Sequence, residues 1–92
     1  MQFDWDLRKA DTNRQKHRVS FEAAELVFED PQAVSKLDVR FEDERWATIG
    51  RSGVRILFVA HLVIETNDEE TIRIISAREA TREERRIYQA GR

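Results

Sequence analysis

Five consecutive apolar residues, Ile56-Leu57-Phe58-Val59-Ala60, constrain this chain more than any other stretch. Successive side chains of a strand point to opposite faces, so such a run leaves neither face for water. Segment 54–65 is therefore read as a central strand covered on both sides. Tight turns bracket it: Ser52-Gly53 precedes it and Thr66-Asn67-Asp68-Glu69 follows it. Each turn leads to an alternating neighbour. Upstream, 44–51 sets Trp46 and Thr48 against Ala47 and Ile49. Downstream, 70–78 puts Ile72, Ile74 and Ser76 on one face and Arg73, Ile75 and Ala77 on the other. Strands joined this way form an antiparallel meander.

The helices announce themselves at their caps. Asp6 is read as the N-cap of a helix over 7–17, whose residues Lys9, Asn13, Lys16 and His17 share one face. Ser20 caps a second helix over 21–29, amphipathic through Phe21, Ala24, Val27 and Phe28, and Pro31 ends it. Thr81 followed by Glu84 is a capping box that starts a third helix where the last strand ends. Phe3-Asp4-Trp5 reads as an extended lead-in, 33–39 as a short strand, and 38–44 as an acidic loop. The expectation is one compact α+β domain over residues 1–92. It has an antiparallel sheet of three to four strands, two N-terminal helices and one C-terminal helix.

Composition narrows the class. With no cysteine, neither disulfides nor a thiolate-rich metal site can support the fold. No apolar run reaches the roughly 20 residues of a membrane span, so a cytoplasmic protein with no membrane partner is expected. Net charge is −2, but it is unevenly spread. Residues 21–44 carry eight acids against Lys36 and Arg40, a net −6, whereas 45–64 and 71–92 each carry +3. Basic charge thus gathers on the sheet and last helix, where it can attract phosphate or simply be solvated.

Several stretches resemble the BrnT toxin family in order along nearly the whole chain. They are Phe3-x-Trp5-Asp6-x-x-Lys9, Asn13-x-x-Lys16-His17-x-Val19-x-Phe21-Glu22-x-Ala24, Val27-Phe28-x-Asp30-Pro31, Glu44-Arg45-Trp46-x-x-Ile49-Gly50 and Arg73-Ile74-Ile75-Ser76-Ala77-Arg78-x-Ala80-x-x-x-Glu84-Arg85-x-x-Tyr88. One departure is Arg18, where the family usually has glycine. The resemblance implies a RelE-like fold and a ribonuclease toxin of a type II toxin–antitoxin pair. It implies inhibition of translation and growth, and a BrnA-like antitoxin, two copies with two toxins. Operator DNA would be met only through the antitoxin, and the pair would repress its own operon.

RNA cleavage without a metal needs a base for the 2′-hydroxyl, cations for the charged phosphorane and an acid for the leaving 5′-oxygen; it leaves a 2′,3′-cyclic phosphate. Arginine suits the second task because its fork bonds two phosphate oxygens. Arg78, Arg51 and Arg73 are the candidates, each with a structural ion pair or sheet cover as its other reading. Lys16 and His17 are the acid–base candidates, histidine because it titrates near neutrality; a helix-terminal His bonding the last carbonyls is the alternative. Glu84 is a cap first and an orienting group for Arg78 second. Lys9, Asn13 and Arg85 are candidates for holding RNA, although Lys9 and Asn13 can equally tie the first helix to the sheet. Tyr88 and Trp46 stack on a base or, preferably, pack in the core. His61 shares a face with Leu57, Val59 and Val63 and reads as a core histidine. No metal ligand set or cofactor loop is visible, so neither is expected. A different class, a non-catalytic subunit that braces a DNA-binding partner, fits the same charge-rich surface.

Overall fold

The computed structural model describes residues 1–91. In chain order the elements are β1 (Gln2–Asp4), α1 (Leu7–His17), α2 (Phe21–Glu25) running into a 3-10 turn (Leu26–Glu29), β2 (Val34–Leu37), β3 (Arg45–Ser52), β4 (Arg55–Thr66), β5 (Glu69–Glu79) and α3 (Arg82–Ala90). Among the described residues, no helix is long and apolar enough to cross a membrane.

The apolar run lies in β4, the middle strand of a sheet ordered β1-β5-β4-β3-β2. The meander β3–β4–β5 and the helix order are as the sequence predicts. The sheet is larger than predicted and mixed, with five strands: β2 joins antiparallel to β3, and β1 pairs in parallel with Thr71–Arg73 of β5. Three residues give too short an alternation to read. What holds β1 in place is Phe3, whose ring packs 5.5 Å from that of Phe28. Segment 21–29 also differs from the single helix expected. The Leu26 N–H is shared by the Ala23 and Ala24 carbonyls, which tightens the chain into 3-10 geometry ahead of Pro31.

β4 is not covered equally on its two faces. On one, Leu57 and Val59 are fully buried with Ile72, Ile74 and Ala77 beneath Val19, Phe21, Ala24 and Val27. Gly50 permits this closeness, since a Cβ there would lie 2.7 Å from Val27 Cγ1. On the other face Ile56, Phe58 and Ala60 are only half-buried, because α3 covers just one end through Ile49, Ala80 and Tyr88. The short α3 leaves the rest of that face open, and the open face is where the candidate site lies.

Local signals fix the ends of α1. The Asp6 carboxylate accepts the Arg8 and Lys9 N–H groups. Arg18 ends the helix at φ 59°, ψ 32°, left-handed backbone that favours glycine and that an arginine adopts at some steric cost.

Candidate active site

The second half of β5 has no strand on its outer edge, since β1 stops at Arg73. Asn13 of α1 takes that place. Its Nδ2 donates to the Ala77 carbonyl at 2.7 Å, its Oδ1 accepts the Ala77 N–H at 3.1 Å, and Nδ2 also donates to the Val19 carbonyl at 3.0 Å. One buried carboxamide thus does the pairing of a missing strand residue and locks α1 along the sheet.

That lock positions the rest of the polar face of α1. Lys9, Lys16 and His17 line an open hollow of about 310 Å³ with Thr12, Ile75 and Ser76. Ser76 and Arg78 are two residues apart in a regular stretch of β5, opposite Ala60 and Phe58, so they share the open face. Lys16 and His17 therefore border Ser76, which shares its strand face with Arg78. Ser76 escaped attention as a site residue, because a small polar side chain in an alternating strand carries no chemical signal of its own.

Arg78 is held on three sides. Its guanidinium lies over the Phe58 ring, 4.3 Å from the centroid. Its Nη1 and Nη2 donate to the two carboxylate oxygens of Glu84 at 2.7 and 2.9 Å, and Nη1 also reaches the Glu79 carbonyl at 3.3 Å. The bond to Glu84 raises the Arg78 pKa further above its already high value. Burial alone would raise the Glu84 carboxyl, but bonds from Arg78 and Thr81 outweigh it and hold its pKa below the usual 4.5. Glu84 is thus ionised at neutral pH and acts as both orienter and cap: it accepts the Thr81 N–H at 2.9 Å while Thr81 Oγ1 accepts the Glu84 N–H. The cap and the orienting role named for Glu84 are both present in one side chain.

The other candidates are scattered around this centre. Arg51, on the same face opposite Ile56, is exposed; its backbone N–H donates to Asp30 Oδ2 at 2.9 Å. Arg73 pairs with Asp4 of β1 at 3.3 Å. Arg85 is exposed on α3. Tyr88 is 2% exposed, and its hydroxyl donates to Asp30 Oδ2 at 2.6 Å, so its ring offers no free face to a base. Asp30, not singled out beforehand, therefore ties the 3-10 turn, β3 and α3 together. Burial pushes its carboxyl up, yet the bonds from Tyr88 and the Gln32 and Arg51 N–H groups leave its pKa lowered. The sequence marks it only as part of the family-like stretch that ends in Asp30-Pro31.

His61 is a core histidine, as read. It is 3% exposed, with Nε2 2.7 Å from Thr48 Oγ1, and that oxygen lies 2.7 Å from Ser35 Oγ. Burial lowers its pKa from 6.5 to about 4; the Leu62 backbone opposes the shift. A histidine with a depressed folded pKa binds its proton more readily in the unfolded chain, so stability is full above pH 6.5 and drains as pH falls toward 4. The expected loss across that window is on the order of 2 kcal/mol, read as a falling urea midpoint. In a His61→Gln variant the midpoint should fall less over the same range, the remaining fall coming from carboxylates such as Glu84 near its acid end.

An α+β domain with one open, arginine-bearing sheet face and adjoining titratable groups belongs to the class of small proteins suited to a polyanionic substrate. Residues 5–84 match the family described as ribonuclease toxin, BrnT, of type II toxin–antitoxin system. The chain belongs to that family: it is a ribonuclease toxin, and an antitoxin is its partner. No curated protein matches the chain in sequence. Among the described residues, no group of three or more His, Cys, Asp or Glu could hold a metal ion.

Proposed function

We propose that this toxin is an endoribonuclease that cleaves RNA without a metal ion, leaves a 2′,3′-cyclic phosphate and so inhibits translation and growth. A BrnA-like antitoxin, two copies with two toxins, neutralises it, and the pair represses its own operon through the antitoxin. The observation that supports the reading is a hollow lined by Lys16, His17 and Ser76, with Arg78 two residues further along the same face of β5.

The chemistry follows from those groups. A base takes the 2′-hydroxyl proton, the 2′-oxygen bonds to phosphorus, the bond to the 5′-oxygen breaks, and an acid protonates that oxygen. Arg78 is assigned to the phosphorane charge, and Lys16 and His17 to the proton transfers. Glu84, ionised at neutral pH, holds Arg78 and can accept a proton but not supply one. Exposed Lys9, Arg51 and Arg85 and half-buried Arg73 draw the phosphate backbone toward the face.

One observation favours a second reading. Both Nη atoms of Arg78 already serve Glu84, as in a purely structural ion pair, which suits a subunit that only braces a DNA-binding partner. Incubating the purified chain with a long RNA, with and without EDTA, decides. The expected result is cleavage indifferent to EDTA, with cyclic phosphate ends. RNA affinity should fall with salt at a log–log slope of about −0.7 per phosphate neutralised. RNA left intact at large protein excess, with or without ribosomes, would establish the bracing subunit instead.

A further inference from the structure

The face opposite Arg78 is uncovered at the far end of the sheet, seven residues further along β4 from Phe58, where Glu65 stands. A cleft of about 620 Å³ opens there over an apolar floor of Phe28, Trp46, Val63 and Ile72. Glu44, Glu65 and Glu70 form its rim. Glu65 and Glu70 are direct partners across the β4–β5 ladder, and like charges placed so destabilise a sheet. None of the three rim carboxylates takes part in an ion pair or side-chain hydrogen bond among the described residues, although Met1 also lines the cleft. The cleft also holds an unsatisfied polar atom. His61, which lines it, is 3% exposed, and its Nδ1 has no hydrogen-bond partner. A buried orphan of this kind normally meets a ligand or water.

Two features select the occupant. Unpaired carboxylates call for a cation, and RNA, a polyanion, is repelled. The apolar floor suits an aliphatic stem, and lysine and arginine combine such a stem with a charged head. His61, edge-on to Phe28 and bonded through Nε2 to Thr48, closes the inner end of that floor.

We propose that the Glu44–Glu65–Glu70 cleft is a docking site for a lysine- or arginine-bearing segment of the antitoxin, whose charged head meets Glu65 and Glu70 while its stem lies on the apolar floor. The inference rests on the antitoxin partner of the family and not on the cleavage chemistry. It places one anchor of the antitoxin on the sheet face opposite the cationic one, so that this contact does not compete with RNA.

The test is a Glu65→Gln/Glu70→Gln variant, with antitoxin affinity measured by calorimetry at low and high salt. Antitoxin affinity should fall about tenfold or more, as expected when a desolvated charge pair is lost, and its salt dependence should flatten. The melting temperature of the free toxin should hold or rise, since a repulsive pair has gone. Unchanged antitoxin affinity overturns the proposal. So does a variant whose only loss is in RNA affinity, or only in self-association, because the cleft then serves RNA or a second copy. RNA cleavage by the free variant is read separately: retained cleavage with weakened antitoxin binding supports the docking site, and a chain that never cleaves RNA bears only on the enzymatic reading.

Discussion

Replacing Arg78 with alanine should lower the rate of RNA cleavage by about 10²–10³-fold, the usual loss when one donor to a developing oxyanion is removed. Antitoxin binding should persist, and the fold should hold. The Arg78–Glu84 pair is about one-third exposed on the arginine side, so its removal costs roughly 1 kcal/mol or less. The Thr81–Glu84 cap survives the change, because it uses backbone N–H groups that Arg78 does not touch. An Arg78→Lys variant keeps the charge but loses the fork, and an intermediate rate is the expected result. Single-turnover cleavage measured with saturating enzyme separates this loss from weaker RNA binding. An Arg78→Ala protein as fast as the parent would remove Arg78 from the chemistry.

Glu84 decides how Arg78 reaches a phosphate at all. In the free protein Glu84 and the Glu79 carbonyl take both N–H groups of Nη1 and one of Nη2, so a phosphate must displace Glu84 or bond the N–H groups left on Nη2 and Nε. A Glu84→Gln variant separates the two roles. The amide oxygen can still cap Thr81, while the charge that competes with phosphate is gone. If Glu84 only shields and orients Arg78, RNA affinity rises in this variant. If Glu84 takes a proton during cleavage, the rate falls even where affinity rises.

What the sequence made legible was local or periodic. The Thr81–Glu84 box could be read because its partners lie within one helical turn, and the β3–β4–β5 meander because its alternation runs over long strands with turn residues between them. The shared face of Lys9, Lys16 and His17 followed from helical spacing alone. What escaped depended on distant partners. β1 is fixed by an aromatic contact between Phe3 and Phe28, and Tyr88 finds Asp30 across 58 positions. The half-open face of β4 escaped for another reason: the run Ile56–Ala60 is equally apolar whether a helix covers one end of it or all of it. The site exists because α3 is short, and no motif in β4 records that.

Asn13→Ala should destabilise the fold by about 3–4 kcal/mol, as much as truncating a large core side chain. Asn13 is 6% exposed, and its loss strips partners from three backbone groups, the Ala77 N–H and carbonyl and the Val19 carbonyl. Each such group left dry costs about 1–3 kcal/mol, less whatever water entering at the hollow restores. Chemical denaturation of the purified chain measures the loss. Asn13→Asp sharpens the argument, since a carboxylate can still accept the Ala77 N–H but repels the two carbonyls that the amide nitrogen now serves. It should be at least as damaging as alanine, although it is the closer match in shape. The damage should extend to function at temperatures where both variants remain folded. Lys16 and His17 follow Asn13 within about one turn of α1, so a helix freed from the β5 edge no longer holds them against Ser76. Cleavage should therefore fall in a folded Asn13→Ala protein whose Arg78–Glu84 pair is untouched. Full activity in that protein would mean that the end of α1 plays no part in the reaction, and that the open face works through its arginines alone.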